Sequence, residues 1–364
     1  MKKQITFIAV ILLLAGLFIS PAECIASAKN AIALCLNIVA PSLFPFFVFS
    51  ELCLSIGLID IIGRGCERIM RPIFNIPGAG GFAFIFGILS GYPTGSIAAL
   101  ELYRTDQCTK TEAERIIAFC NNAGPLFIVG CVGIGIFHST ILGGFLYATH
   151  IVSAIVVGII FRFWRRNLDI TLFAPKSAKS PPLTLGEAIS KSVRKSVMLI
   201  AFVCGFIVFF SVILAILENY GIIHIIALLL TKLGLPYDTS LGIARGLFEI
   251  TSGIEHLTSL PAISGILALG GVSVWLQVMG VLAKSNLSVR PLLIGKSLQC
   301  LFAALFTYIF MPLLPAVPVF AIEKHPMAIT AMSAFIYSSI LVLTAVPLFL
   351  GLCYVRLKLW PPRR

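Results

Sequence analysis

Apolar runs of roughly 20 residues, the length a helix needs to cross a bilayer, recur along this chain as far as residue 355, with short polar stretches between them. In order they predict spans at 4–20, 31–59, 117–137, 140–163, 197–217, 263–283, 292–310 and 329–353. Two further apolar segments, 80–103 and 238–260, are interrupted near their middles. The first is cut by "SGYPTG" and leaves flanks of about ten residues, too short to span; the second reads "SLGIARGLFEITSGIEHLTSL". A segment of this kind enters and leaves a membrane on one side, as a re-entrant hairpin, although Gly, Pro and Ser/Thr are also tolerated in a spanning helix that is merely kinked for packing.

The elements come in two similar sets. Each half runs span, interfacial helix, cut segment, then a span with a polar break near its start: "CNNAGPLF" at 120–127 and "LGGVSVWLQ" at 269–277. Three spans lie between the two cut segments, so the hairpins enter from opposite faces, which is the plan of an inverted repeat. The predicted fold is an all-α polytopic membrane protein, an inverted repeat with about eight transmembrane helices and two re-entrant helical hairpins. Five segments follow. Residues 1–30 hold an N-terminal transmembrane helix or signal-like segment, since "SPAECIASA" places small residues where a cleavage site would lie. The first repeat covers 31–163 with its hairpin at 80–103, and a basic cytoplasmic linker with an amphipathic helix covers 164–196. The second repeat covers 197–328 with its hairpin at 238–260. Residues 329–364 form the last transmembrane helix and a basic tail.

Composition agrees with this reading. Hydrophobic residues make up 59% of the chain and charged residues 12%, against about 45–50% and about 25% in soluble domains. The net charge of +12 would suit nucleic acid or a membrane, and position decides for the membrane. With Lys2 inside, every basic residue except Lys29, Lys232, Arg245 and Lys324 collects at a cytoplasmic end, including Lys284, Arg290 and Lys296 around the seventh span. That distribution obeys the positive-inside rule and places both termini in the cytoplasm. The basic connection at 162–195 reads as orientation charge facing anionic lipid. Nucleic acid is not an expected partner.

Most of the ten cysteines lie within apolar segments and no C-x-x-C pair occurs, so they read as small buried thiols. The histidines His138, His150, His224, His256 and His325 lack ligand spacing, and neither a metal nor a cofactor is expected. The glycines of "SGYPTGS" raise the question of a phosphate loop, but the lysine of G-x-x-x-x-G-K-[ST] is missing. Neither G-x-S-x-G nor H-E-x-x-H occurs, and no enzyme is expected.

Irregular backbone at membrane depth is tolerated only where protein or a water-filled cavity surrounds it. Four breaks at matched positions therefore predict one shared site, as in inverted-repeat transporters. Broken helices expose N–H groups that bind anionic oxygens, and the candidate binding residues of the first half are Ser90, Gly91, Thr94, Gly95, Ser96, Asn121, Asn122 and Gly124. In the second half they are Arg245, Glu249, Thr251, Ser252, Ser273 and Gln277. Arg245 and Glu249 are ionisable groups in an apolar stretch and count as functional candidates; at i,i+4 spacing they also suit a structural ion pair within the hairpin. Glu101 and Glu255 are expected at hairpin ends facing water.

The stretches "GILSGYPTGS", "CNNAGPLFIVG", "FEITSGI" and "GGVSVWLQV" resemble those of the YlbJ-type sporulation integral membrane proteins of endospore-forming bacteria, which carry the nucleoside-recognition or Gate domain. The resemblance covers about residues 30 to 350. It implies a fold similar to the concentrative nucleoside transporters, with Ser90–Ser96, 121–125, 249–253 and 273–277 lining the site. It further implies a place in the outer forespore membrane, a role in spore cortex formation, and movement of dipicolinate, a small pyridine dicarboxylate. The expected partners are a small anionic solute, membrane lipid and a coupling proton or sodium ion, with a homo-oligomer also open. A non-transporting scaffold or sensor for sporulation partners, and a nucleoside transporter, are the alternatives.

Overall fold

The structure is a computed structural model, and it describes residues 2–56, 58–165 and 184–314. Every regular element among them is helical. Among the described residues five helices are long and apolar enough to cross a membrane: Pro21–Ser55, Thr140–Phe161, Leu185–Asn219, Leu260–Leu282 and Arg290–Leu313. A sixth candidate is the pair Gly65–Phe74 and Ala79–Ser90, bent by 89° at the break between them. The chain is a multi-pass membrane protein. Large apolar side chains such as Phe7, Phe18, Leu36, Phe49, Met198 and Phe209 stand exposed, which suits a surface that faces lipid. The expected span 329–353, the tail after it and most of the basic linker lie outside the described residues.

Local signals account for several of the helix ends. Thr184 and Glu187 form a capping box at the start of Leu185–Asn219, as Thr109 and Glu112 do for Lys110–Phe119. Gly221, at φ 71, follows the end of the helix Leu185–Asn219 as a left-handed residue that L side chains avoid. The expected third span, 117–137, is not one continuous helix: Lys110–Phe119 stops, residues 121–124 run without helical structure, and a π-wound segment follows over Leu126–Ile136. The expected sixth span divides at Gly270 into Leu260–Leu269 and Gly271–Leu282.

Both cut segments fold as two helices meeting at a tip. In the first, Ala79–Ser90 and Thr94–Arg104 lie side by side with Gly87 against Gly95, and the Cys120 carbonyl oxygen fits between them. A Cβ on Gly87 would come 1.8 Å from that oxygen, and one on Gly95 2.0 Å. In the second, Tyr237–Gly246 meets Ile250–Ile254, and a Cβ on Gly253 would come 2.3 Å from Gly246 Cα. Glycine here is a matter of space rather than of backbone angle, because helix backbones touch.

The helix Lys110–Phe119 reads as amphipathic in sequence, but its polar face is buried along with its apolar one. Glu114, fully buried, accepts from Trp164 Nε1 at 3.1 Å and from the Ser288 backbone N–H at 3.1 Å. Arg115 donates to the carbonyls of Asn75 and Trp164. The two halves are thus joined around this helix, and Gly295 brings the helix Arg290–Phe310 against its backbone at Ala118. Overpacking of a close contact costs roughly 1–3 kcal/mol. Gly87→Ala is expected to lower the melting temperature of the detergent-purified protein, whereas Gly65→Ala, which meets open space, is expected to leave or raise it; equal midpoints for the two would disprove the packing argument.

Candidate functional site

Each hairpin tip sits on the break of its own half. In the first half, the Ser96 backbone N–H donates to Asn121 Oδ1 at 3.2 Å, and Gly91 lies against Gly124. Asn121 Nδ2 in turn donates to the Ile117 carbonyl at 2.9 Å, so one side chain ties the helix end to the hairpin. Ser90, Gly91, Thr94, Gly95, Ser96, Asn121, Asn122 and Gly124 are all buried and come together as the breaks predict. In the second half the bonds run through backbone. The Val272 N–H donates to the Leu247 carbonyl at 2.8 Å, and the Ser273 N–H to the Phe248 carbonyl at 3.1 Å. The tip carbonyls therefore satisfy the first N–H groups of the helix Gly271–Leu282, which would otherwise be orphaned.

Tyr92, at the tip of the first hairpin, joins the two halves. Its hydroxyl donates to the Leu267 carbonyl at 3.3 Å, and a Cβ on Gly270 would lie 3.3 Å from the Tyr92 hydroxyl oxygen. Gln277 and Ser273 share a face of the second broken helix and are linked by a long bond of 3.5 Å.

The second hairpin departs from expectation at its charged residues. Arg245 and Glu249 do not pair. The chain leaves its helix at Leu247, Glu249 adopts extended backbone (φ −143°, ψ 126°), and the i,i+4 geometry is lost. Glu249 instead caps the short helix Ile250–Ile254, accepting from the Ser252 N–H at 2.9 Å and from the Thr251 hydroxyl. Arg245 pairs with Glu218, at the end of the helix Leu185–Asn219, and with His256 Nε2, away from the tip-on-break contacts. Burial, with the Arg245 charge beside it, holds the His256 imidazole below its ordinary range and so keeps Nε2 available as an acceptor. Glu101 and Glu255 are exposed, as expected.

The sequence reading missed a cluster behind the first break. Lys296, which reads in sequence as an orientation charge at a cytoplasmic end, is 1% exposed. Its ammonium donates to Tyr92 Oη at 2.8 Å, to the Asn121 carbonyl at 2.9 Å and to Gln299 Oε1 at 2.7 Å. The Tyr92 ring also lies under it, 4.9 Å from Nζ to the centroid. Gln299 Nε2 donates to Asn122 Oδ1 at 2.9 Å, and His150 Nε2 accepts from the Ala123 N–H at 3.2 Å. The available signal was an ionisable residue six positions into an apolar helix, with Gln299 one turn further on.

Comparison with known proteins bears on this geometry. The nucleoside recognition family, Gate, matches residues 36–163. The sporulation integral membrane protein YlbJ of Bacillus subtilis (strain 168) is 32% identical over 308 residues, covering 77% of this chain and 76% of that protein. The chain belongs to the YlbJ family. Among solved structures, CNTnw, a concentrative nucleoside transporter, is similar in two substituted forms. The outward-facing one is 13% identical, covers 84% of this chain and 86% of its own, and has a TM-score of 0.42. The form in an intermediate state is 12% identical, covers 94% and 83%, and has a TM-score of 0.36.

Among the described residues of this YlbJ-family chain, no cluster of His, Cys, Asp and Glu could hold a metal ion. The site offers hydroxyls, amides, backbone N–H groups and one buried lysine, a set able to hold a polar solute. Loss of an N-cap costs roughly 0.5–2 kcal/mol. Glu249→Ala is expected to raise hydrogen–deuterium exchange over residues 250–254, and Glu249→Gln, which keeps an acceptor, much less. Unchanged exchange in the alanine variant would refute the capping role.

Proposed function

We propose that this protein is a secondary transporter that moves a small anionic solute, with dipicolinate as the first candidate, across the outer forespore membrane in support of spore cortex formation. The observation that carries this reading is the repeated contact of a hairpin tip with a broken helix. Backbone that leaves the helical path inside a membrane is costly unless it is enclosed, and two such places joined through Tyr92 make one polar locus in an apolar protein. Transporters place their solute at sites of this kind, between repeats, where half-helices present free backbone ends.

In this reading the hydroxyls of Ser90, Thr94 and Ser96, the amides of Asn121 and Asn122, and Thr251, Ser252, Ser273 and Gln277 from the second half hold the solute. Thr94 Oγ1, Ser96 Oγ and Gln277 Oε1 are buried with no hydrogen-bond partner among the described residues, and a bound solute would supply one. Alternating access comes from movement of the hairpins against the breaks, by rocking or by an elevator-like shift. A proton or a sodium ion couples the movement. Membership of a family that includes a sporulation membrane protein supports the cellular setting.

Purified protein in proteoliposomes with labelled dipicolinate on one side is expected to show saturable flux. Asn121→Ala removes the acceptor of the Ser96 N–H and leaves a buried donor unsatisfied, which costs about 1–3 kcal/mol. It is expected to cut flux by roughly 10-fold or more while the protein stays in the membrane. No flux from the unsubstituted protein would favour the scaffold or sensor reading, and full flux from the variant would remove Asn121 from the site.

A further inference from the structure

We infer that Lys296 is the binding site of the coupling proton, and that the hydroxyl of Tyr92 passes its protonation state to the first hairpin. The inference rests on the transport reading and chooses the coupling ion for it.

The partners of Lys296 suit both of its protonation states. Asn122 Nδ2 donates to the Phe119 carbonyl at 2.9 Å, which turns its oxygen toward Gln299 Nε2, so Gln299 presents Oε1 to Lys296. The Asn121 carbonyl, 2.9 Å from Nζ, can only accept. Tyr92 Oη, 2.8 Å from Nζ, both donates and accepts. An ammonium gives one N–H to each of these three groups. A neutral amine gives its two N–H groups to Gln299 and Asn121 and takes the Tyr92 hydrogen on its lone pair. Neither state leaves Lys296 with an unmet donor or acceptor, so a proton comes and goes without stranding a buried polar group on the lysine.

The Tyr92 hydrogen has two destinations, Lys296 and the Leu267 carbonyl 3.3 Å from Oη. With an ammonium it goes to Leu267 and ties the first hairpin to the second half. With an amine it goes to Lys296, and the Leu267 carbonyl, one of the last in the helix Leu260–Leu269, loses that partner. An ion shifts a conformational equilibrium only by interacting differently with its two states, and this hydroxyl makes the difference. A solute held between the joined halves favours the tied form and hence the ammonium. By linkage, solute binding then takes up a proton, and the proton strengthens solute binding.

Other titratable groups stand near Lys296 or at the second tip. His150, on Thr140–Phe161, accepts from the Ala123 N–H through Nε2 at 3.2 Å; a backbone N–H only donates, so that nitrogen is bare and the imidazole neutral. Cys120, after Lys110–Phe119, and Cys300, on the lysine's own helix, are buried thiols. The helix Leu260–Leu269 brings no titratable side chain. Glu249, the buried carboxylate of the second tip, accepts from the Ser252 N–H and the Thr251 hydroxyl, both within its own hairpin. A proton on Glu249 would act on the cap of Ile250–Ile254, whereas a proton on Lys296 acts on the contact between the halves.

The test counts protons. Dipicolinate binding to the full chain in nanodiscs is followed by titration calorimetry in buffers of different ionisation enthalpy, above the pH range in which dipicolinate itself protonates. The unsubstituted protein is expected to take up about one proton per solute, and its affinity to rise by about tenfold per pH unit toward acid where Lys296 titrates, the slope of a single linked proton. Lys296→Met holds no proton and Lys296→Arg does not release one, so both should bind without uptake and with affinity that no longer follows pH. Tyr92→Phe keeps the lysine but not the hydroxyl, and its uptake should fall well below that of the unsubstituted protein. No uptake, or release, in the unsubstituted protein would overturn the inference even if neither lysine variant folds. Full uptake in either lysine variant would overturn it as well, and loss of uptake in Glu249→Gln alone would move the site to the second tip. Full uptake in Tyr92→Phe would overturn the part given to the hydroxyl. In proteoliposomes a proton gradient should drive accumulation in sodium-free medium; accumulation driven by a sodium gradient alone would overturn the inference and leave the transport reading. Proton uptake on binding without any flux would overturn the transport reading and leave Lys296 as a solute-linked proton site.

Discussion

Everything in this fold depends on how unpaired backbone is housed inside a membrane. Each interrupted helix frees N–H and C=O groups, and in hydrocarbon those groups have no water to turn to. The protein resolves the problem by bringing another backbone to the break. Gly87 and Gly95 leave room for the Cys120 carbonyl between the two arms of a hairpin, and the carbonyls of Leu247 and Phe248 reach the start of a second broken helix. Only glycine permits approaches this close, so the glycines of the two hairpins and the breaks they cover form one constraint.

That constraint also explains why polar chemistry collects where it does. A break needs partners, partners at membrane depth are side-chain amides and hydroxyls or other backbones, and each partner must itself be satisfied. Asn121 meets both demands at once, accepting from Ser96 and donating to Ile117. Behind it, Gln299 and Asn122 orient one another's amides, and Lys296 fills the acceptors that remain. Unpartnered polar atoms remain at its edge, Thr94 Oγ1 and Ser96 Oγ on the hairpin tip and His150 Nδ1 and Ser297 Oγ behind the break.

The parts of this arrangement that follow from local chemistry could be read from the sequence. Gly91, Pro93 and the short apolar flanks marked the first tip; the pair of asparagines followed by Gly124 and Pro125 marked the first break; Gly270 and Gly271 marked the second. What could not be read was any property set by a partner distant in sequence. Arg245 and Glu249 have the spacing of a helical ion pair, but the helix stops between them, and Arg245 finds Glu218 instead. Lys296 lies six residues from Arg290, and a charge that near a span's end reads as orientation. The seating of Gly295 against Ala118 and the bonds from Lys296 to Tyr92 and Asn121 show that this part of the helix is deep in the protein, beside a break from the other half.

The same comparison orders the cations by the work they can do. Arg71, Lys195 and Arg245 are each held by a carboxylate in partly exposed surroundings, where an ion pair contributes little and its loss would be felt mainly as local loosening. Lys296 is buried among neutral dipoles, where replacement by a well-packed apolar side chain would ordinarily cost little stability or even add to it. Stability is therefore a poor explanation for a lysine at this position. Its three acceptors come from a hairpin tip, a helix break and its own helix, so its charge is carried to the place where the two halves meet. A lysine placed there, and the carboxylate of Glu249 buried at the second tip, put one ionisable group on each side of the meeting of the two halves.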